Sequence, residues 1–599
     1  MIGYINGKLV EFDSQETILS VAQRHGHFIP TLCELGDIGH APGTCRVCLV
    51  DIKQQGDPLH HIVPSCITPM EEGMEVLTRT REVREKQRLQ VELLLADHPQ
   101  DCAACIRNGN CELQDVAQFV GLQETRYHNP AFYEGRTRDV SSPSITRDMT
   151  KCIRCFRCVS ICREVQGIGA LVISEKGIAT EVEVHDGLPL GSSNCIGCGQ
   201  CVLVCPVGAL AEKDSTETVI DYLYDPDIVT VFQIAPAVRT AVGEEFHLPP
   251  GENLEGQIIT ALKDIGADIV LDTNFAADLV IMEEGSELLS RIQNQGILPM
   301  FTSCCPAWIN FVEKNYPELR ENISTTKSPQ QCFGAIAKTY LAEQMGIDPD
   351  KMRVISIMPC TAKKGEAKRP EFERNGKPDV DEVLTTRELA RLLRRERIHL
   401  DKLDITSYDN PWMGAYTGAG IIFGTTGGVM EAAIRTVYYL TQGKELEDPE
   451  FTDIRGMEHC REASIDLGEG LGIVRIAVAH SIKAARELVE AVKSGRVFYH
   501  FVEVMACPGG CQEGGGQPRH KHAYQTSRTP RREALFTIDR MSPVRQSHNN
   551  PLIQNLYATY LESPNSARCH TLLHTHYQNR KRRIHHTIKA IWDEIRDRP

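Results

Sequence analysis

Residues 301–308 read FTSCCPAW and set Cys304 directly beside Cys305. Adjacent side chains on a strand or helical turn point in different directions, so two such thiols rarely serve one metal centre together. They stand at one of three strand ends that carry cysteine in the C-terminal half. The others are Cys360, in IMPCTAKKGE, and Cys507 with Cys511, in EVMACPGGCQEGGGQP. Around them short apolar strands (DIVTVFQIA, ADIVLDT, RVISIMPC) alternate with helical segments such as residues 317–346. That alternation predicts an α/β core with its functional residues at strand ends. None of the three groups has simple ferredoxin spacing, so they act together only if the fold brings them together.

Toward the N-terminus the cysteine pattern changes. Cys152, Cys155, Cys158 and Cys162, then Cys195, Cys198, Cys201 and Cys205, form two C-x2-C-x2-C-x3-C runs. This is two-cluster ferredoxin spacing, in which the fourth cysteine of each run serves the other cluster. The expected ligand sets are Cys152, Cys155, Cys158 with Cys205, and Cys195, Cys198, Cys201 with Cys162. Pro206 follows the last cysteine as the pattern asks, while Arg163 replaces the proline of the first run.

Further upstream, DHPQDCAACIRNGNCELQ offers His98, Cys102, Cys105 and Cys111. Three thiols leave a cubane one ligand short, and His98 fills the place. A neutral imidazole makes such a cluster less negative and alters its potential. Without the adjacent cysteines a lone histidine would be an ordinary surface or core residue. The first group is Cys33, Cys45, Cys48 and Cys66. Residues 2–12 and 46–52 have strand-like alternation, and SQETILSVAQRHG between them has helical spacing with a serine start. A small sheet on a helix with four loop thiols is the pattern of a 2Fe2S ferredoxin. A structural zinc site is the competing reading, but zinc pairs usually come as two C-x2-C knuckles, and one occurs here.

At 599 residues the chain exceeds a single core, and roughly two to five domains are expected. The net charge of -15 argues against nucleic acid as the main partner. The start, MIGYINGKLVEF, lacks a basic region followed by an apolar one, and no apolar run is long enough for a membrane span. The expectation is a cytoplasmic protein. Most of the 23 cysteines fall in tight C-x2-C runs, which suit metal chelation better than disulfides.

The segments TSCCP, MPC followed by Lys363 and Glu366, and MACPGGC resemble the three signature motifs of the iron-only (FeFe) hydrogenases, in order. The N-terminal cluster groups match the longer members of that family. The resemblance implies a multidomain α+β and α/β fold. It runs from a ferredoxin-like β-grasp 2Fe2S domain (1–78) through a small helical His-ligated 4Fe4S domain (79–138) to a two-4Fe4S ferredoxin domain (139–222). A two-lobed α/β H-cluster domain (223–518) and a C-terminal wrapping segment and tail (519–599) follow. The implied cofactors are one 2Fe2S cluster, three accessory 4Fe4S clusters and the H-cluster. The last is a 4Fe4S cubane joined through one cysteine to a two-iron unit bearing CO, cyanide and a dithiolate with a central amine.

Carried over by position, the cubane ligands are Cys305, Cys360, Cys507 and Cys511, with Cys511 as the bridge. Cys304 becomes the thiol that exchanges protons with the amine; a thiol of reference pKa about 8.5 can do so near neutral pH. Glu284 and Glu287, with Ser324, become the relay outward. From the residues alone VIMEEGSELLSRI places these glutamates on one helical face, an ordinary solvated surface. Lys363 is implied to donate to one cyanide. Ala235 and Pro236 line the other, and Gln330, Met358 and Met505 form pocket wall.

The implied reaction is the interconversion of H2 with protons and electrons. No G-x-G-x-x-G or phosphate loop is evident, so the expected partners are flavin and iron-sulfur subunits that bind NAD(P), or a ferredoxin, besides maturation proteins. Two other readings compete. Residues 1–215 also resemble the large iron-sulfur subunit of respiratory NADH dehydrogenase, which the intact TSCCP and MACPGGC oppose. A non-catalytic relative serving iron-sulfur assembly would not need Cys304, Lys363 or the glutamate pair. Cys332, Cys460 and Cys569 remain over; Cys332 is expected in the core, and with only Cys569 near the C-terminus no further 2Fe2S domain is expected there. The tail, residues 574–599, counts seven Lys or Arg against three Asp or Glu. It reads as a solvated helix, with docking onto another subunit as the alternative.

Overall fold

At the N-terminus the strands Ile2–Ile5 and Lys8–Glu11 turn back through Asn6 and Gly7, both at positive φ (51° and 77°), as a two-residue hairpin requires. In the computed structural model, which describes residues 1–128, 138–409, 411–456, 458–468, 471–524 and 527–581, this hairpin edges a five-stranded sheet. Glu75–Leu77, Leu49–Lys53 and His61–Pro64 complete it. The helix beside it, Ile18–Arg24, buries Ile18, Leu19, Val21 and Ala22. It starts later than the serine suggested: Thr17 accepts the Ser20 N–H as N-cap, while Gln15 at φ 80° keeps the preceding residues in a turn.

Helices Arg81–Ala96 and Glu112–Phe119 follow, bracketing the loop with Cys102 and Cys105. The ferredoxin portion shows an internal repeat in backbone conformation. Arg154 and Phe156 in the first cysteine run, and Gly197 and Gly199 in the second, all have positive φ. This coiling turns backbone N–H groups toward the thiols: Arg154 N lies 3.4 Å from Cys152 Sγ and Gly197 N 3.4 Å from Cys195 Sγ.

The large C-terminal region has two four-stranded sheets. One is wholly parallel, in the order Ile269–Asp272, Val229–Ile234, Met352–Met358, Glu382–Thr385. Its central strands are buried on both faces, which explains their unbroken apolar sequence. The other runs Met300–Phe301, Phe501–Met505, Ile473–His480, Cys460–Asp466. Ala235, Cys360, Cys304 and Cys507 follow strands Val229–Ile234, Met352–Met358, Met300–Phe301 and Phe501–Met505 within three residues. All four therefore lie at the C-terminal ends of strands drawn from both sheets, where functional groups of open α/β sheets collect.

Residues 317–346 are not one helical segment. A 3-10 turn, Pro317–Asn322, gives way to extended backbone before the helix starting at Pro329. Proline disfavours helix at the residue before it, and the extended stretch makes bridges instead, Ile323 to Phe301 and Thr326 to His574. The C-terminal segment thus folds back onto the two-sheet region. Arg435 ties it down further, donating to Asp539 Oδ1 and Oδ2 at 2.9 Å each. Of the basic tail, residues 574–581 form no helix, and residues 582–599 lie outside the described residues. Among the described residues no helix is long and apolar enough to cross a membrane.

Candidate active site

The strand ends of the two sheets enclose a cavity of about 80 Å³, lined by Cys305, Cys360, Cys507 and Cys511, with Cys304 beside them. Ala235, Pro236, Met358, Phe423 and Met505 make its apolar wall, and Gln330 and Lys363 its polar positions. Cys305 caps the helix Pro306–Asn315 and receives the Ala506 N–H at 3.4 Å. Burial pushes all four thiols up, Cys360 to about 11. Metal-free, they hold their protons, and iron would displace them. Among the described residues no three His, Cys, Asp or Glu side chains close on a single ion. Four soft donors spaced around an apolar cavity suit a multi-iron cluster, whose thiolates bind different iron atoms. The donor set therefore fits an iron-sulfur group.

Lys363 is held at the rim. Its ammonium donates to Cys304 O at 3.1 Å and to Glu366 Oε2 at 2.8 Å. Burial, the largest influence, opposes the charge, but Glu366 together with the neighbouring cysteines offsets it and the Lys363 pKa is raised. Glu366 also receives Ser328 Oγ (2.9 Å) and Gln330 Nε2 (3.1 Å). Among the described residues, Gln330 Oε1 is buried without a partner.

Cys304 is half-buried and faces the cavity. Burial, then the Glu284 charge, pushes its thiol well above the ordinary range. Desolvation penalises the thiolate, so the Cys304 thiol is held in its protonated form. Glu284 is 0% exposed, not on a solvated face. Burial, then Glu287, lifts its carboxyl to about 8, with Ser324 and the Ser303 backbone partly offsetting them. Neither Glu284 oxygen has a hydrogen-bond partner within normal limits among the described residues. Ser324 Oγ donates to Glu287 Oε2 at 2.9 Å, and Arg291 Nη2 to Glu287 Oε1 at 2.6 Å. Arg291 and Glu366 are site neighbours to which the sequence reading gave no role. The i,i+4 spacing of Glu287 and Arg291 was the available signal for the first.

The accessory groups assemble likewise. Cys33 contacts Cys45 and Cys66, and Cys48 contacts Cys66, all four buried. His98, Cys102, Cys105 and Cys111 line one cavity. The His98 ring donates a hydrogen bond to the Lys151 backbone, yet its Nδ1 is buried with no partner among the described residues. Such an orphaned imidazole nitrogen suits a metal ligand. One cavity brings together Cys152, Cys155, Cys158 and Cys205, and another Cys162, Cys195, Cys198 and Cys201.

Contacts also connect the groups. His40, in the Cys33–Cys45 loop, bonds Cys155 O at 2.9 Å and Ser160 Oγ at 2.8 Å. Gly208 leaves room for Cys105, whose Sγ lies 2.8 Å from where a Cβ would stand. Cys198 is close enough to Cys360 and Cys507 for its charge to act on both. There Gly199 (φ 72°) packs on Gly515, and Thr361 Oγ1 donates to Gly197 O at 2.7 Å.

Residues 228–515 match the family described as iron only hydrogenase large subunit, C-terminal domain, and residues 525–580 the iron hydrogenase small subunit. The chain is 45% identical over 588 residues to the NADP-reducing hydrogenase subunit HndD of Solidesulfovibrio fructosivorans, covering 96% of this chain and 99% of that one. This chain belongs to the iron-only hydrogenase family. Iron hydrogenase 1 of Clostridium pasteurianum is 38% identical to this hydrogenase over 583 residues, covering 96% and 99%. The [FeFe]-hydrogenase HydA1 of Chlamydomonas reinhardtii, solved in an apo form, superimposes with TM-score 0.54 at 40% identity, covering 61% of this hydrogenase and 99% of that chain. The N-terminal part matches a 2Fe-2S cluster binding domain (3–81), the iron-sulfur binding region of NADH-ubiquinone oxidoreductase G (87–126) and a 4Fe-4S dicluster domain (151–209). The hydrogenase thus combines an H-cluster domain with iron-sulfur electron-transfer domains, and the reading as an NADH dehydrogenase subunit without hydrogen chemistry is not favoured.

The Gly199–Gly515 contact yields a prediction. A methyl on Gly515 would run into the Cys198 carbonyl and stand 2.6 Å from Gly199 Cα. Gly515→Ala is expected to cost about 1–3 kcal/mol and to separate the two cluster loops. Freeze-quench EPR is expected to show slower reduction of the accessory clusters by H2.

Proposed function

We propose that the hydrogenase carries electrons between the cavity at the strand ends and an NADP-binding partner subunit, and protons through Cys304, Glu284, Ser324 and Glu287. One observation supports this above the others: four thiols from three distant loops, and a fifth that is spare, meet at one apolar cavity. Cys305, Cys360, Cys507 and Cys511 would hold the H-cluster, which when bound supplies the iron chemistry that cleaves or forms H2.

The remaining steps belong to the chain's own side chains. The apolar wall excludes water and charge and admits an uncharged diatomic molecule. Lys363, kept charged by Glu366, offers N–H donors to an anionic iron ligand in a dry site. Cys304, desolvated and neutral, is a donor that must regain its proton, and Glu284, lifted to about 8, holds one at neutral pH. Ser324 donates to Glu287 and can reverse, because a hydroxyl both donates and accepts. Arg291 fixes Glu287 at the outer end.

For electrons, the contacts suggest an order. The Cys33 group and the His98 group both abut the Cys152 set, and the Cys162 set abuts the cavity. With one 2Fe2S cluster and three accessory 4Fe4S clusters, two entries would converge on one line. The relative from Solidesulfovibrio fructosivorans is named as an NADP-reducing hydrogenase subunit. We read this chain as the corresponding subunit, with nicotinamide chemistry on a flavin-bearing partner, or a ferredoxin as the alternative carrier. Maturation proteins would insert the two-iron unit, and the cytoplasm is the compartment where NADP is met.

Cys304→Ser is expected to leave every cluster spectroscopically intact and to lower H2 turnover by at least about 10²-fold, the scale of a positioned proton donor; retained turnover would remove its proton role. His98→Ala is expected to perturb a single 4Fe4S centre in EPR redox titrations, and an unchanged titration would show that His98 is not a ligand.

A further inference from the structure

The C-terminal segment reaches the proton route. Thr326 and His574 form an isolated antiparallel bridge, with Lys327 N donating to Leu573 O at 2.7 Å and Thr575 N to Thr325 O at 2.8 Å. This clamp sets the His574 ring beside Thr325, with Oγ1 and Nδ1 2.8 Å apart. The same hydroxyl lies 3.1 Å from Glu287 Oε2. One threonine therefore joins the outer carboxylate of the relay to an imidazole.

Beyond the ring the chain continues. His574 Nε2 lies 3.0 Å from Glu283 Oε2. Glu283 is 0% exposed and also receives the Tyr557 hydroxyl and the Asn565 N–H, the latter at 2.8 Å. Consecutive helical side chains diverge by about 100°. Glu284 can thus serve Cys304 while Glu283, next to it, serves the C-terminal segment. The exposed His570 ring lies 4.4 Å from the His574 ring, centroid to centroid.

Ser324 and Arg291 already hold the two Glu287 oxygens without this pair. Two considerations point to proton handling. A hydroxyl carries one proton and two lone pairs, so Thr325 can accept from Glu287 while donating to His574, and reverse, with no heavy atom moving. Each H2 also involves two protons, whereas the inner route is a single file of groups.

We propose that the proton route divides at Glu287, where Thr325 exchanges protons with a buried His574–Glu283 pair that stores one beside the relay. In the storing step the Glu287 O–H bond breaks as Thr325 gains that proton. The proton already on Thr325 passes to His574 Nδ1. No electron moves, and Glu283 supplies the counter-charge to the imidazolium. This inference rests on Glu287 belonging to the relay.

Thr325→Val removes the hydroxyl but keeps the backbone N–H that lies 3.0 Å from Glu287 Oε2, and it is the deciding variant. His574→Gln is the companion. On the matured enzyme, H2 oxidation is measured in H2O and D2O, with infrared difference spectra of protonated carboxyl groups on reduction. Thr325→Val is expected to lower turnover roughly three- to tenfold, less than loss of a positioned acid–base group, to raise the solvent isotope effect and to shift a carboxyl band; His574→Gln is expected to do likewise. Wild-type turnover in Thr325→Val overturns the proposal. So does reduced turnover with an unchanged isotope effect and carboxyl band, which marks a structural tie. Glu287→Gln separates the two readings: full turnover there would sink the relay itself, whatever Thr325 does.

Discussion

Desolvation at the meeting of two sheets governs the catalytic region. The strand ends that converge there carry thiols, and burial holds each of them in its neutral form until something with positive charge replaces the proton. The same dryness lifts Glu284 and Cys304, favouring the protonated form of each. Lys363 is the exception that the site maintains deliberately. It stays charged because Glu366, itself held by Ser328 and Gln330, lies within 2.8 Å of it.

Placement of the accessory groups follows from backbone rather than side-chain chemistry. Positive-φ residues in both cysteine runs curl the chain around each set of thiols, and glycines mark where one group must approach another. Gly208 admits Cys105, and Gly199 meets Gly515 across the boundary between the ferredoxin portion and the catalytic region. A glycine at these points removes the side chain that would otherwise lengthen the gap between neighbouring electron-transfer sites.

Much of this was legible in the sequence, and what escaped it has a common cause. Cysteine spacing is a local property, so the N-terminal thiol sets could be read directly, whereas Cys305, Cys360, Cys507 and Cys511 were grouped only by resemblance to the family's motifs. The alternation of apolar strands with helices likewise announced the parallel sheet. Burial is a tertiary property: the spacing of Glu284 and Glu287 on a helix was equally compatible with a solvated face, and only the packing of the helix Thr273–Gln293 between the strand ends and the C-terminal segment decides it. Residues 317–346 were misread as one helical piece because bridges to Phe301 and His574, far away in sequence, compete with helix in the stretch before Pro329. The contacts of Arg291, Thr325 and His574 with one another's partners were invisible for the same reason.

The central claim is that three loops close around one organometallic centre. Infrared spectroscopy of anaerobically matured protein tests it most directly, since iron-bound CO and cyanide absorb where protein does not. The account predicts sharp bands of both kinds that shift when H2 is admitted and are lost when Cys511 is replaced by Ser. A fully iron-loaded, matured protein without those bands would contradict it.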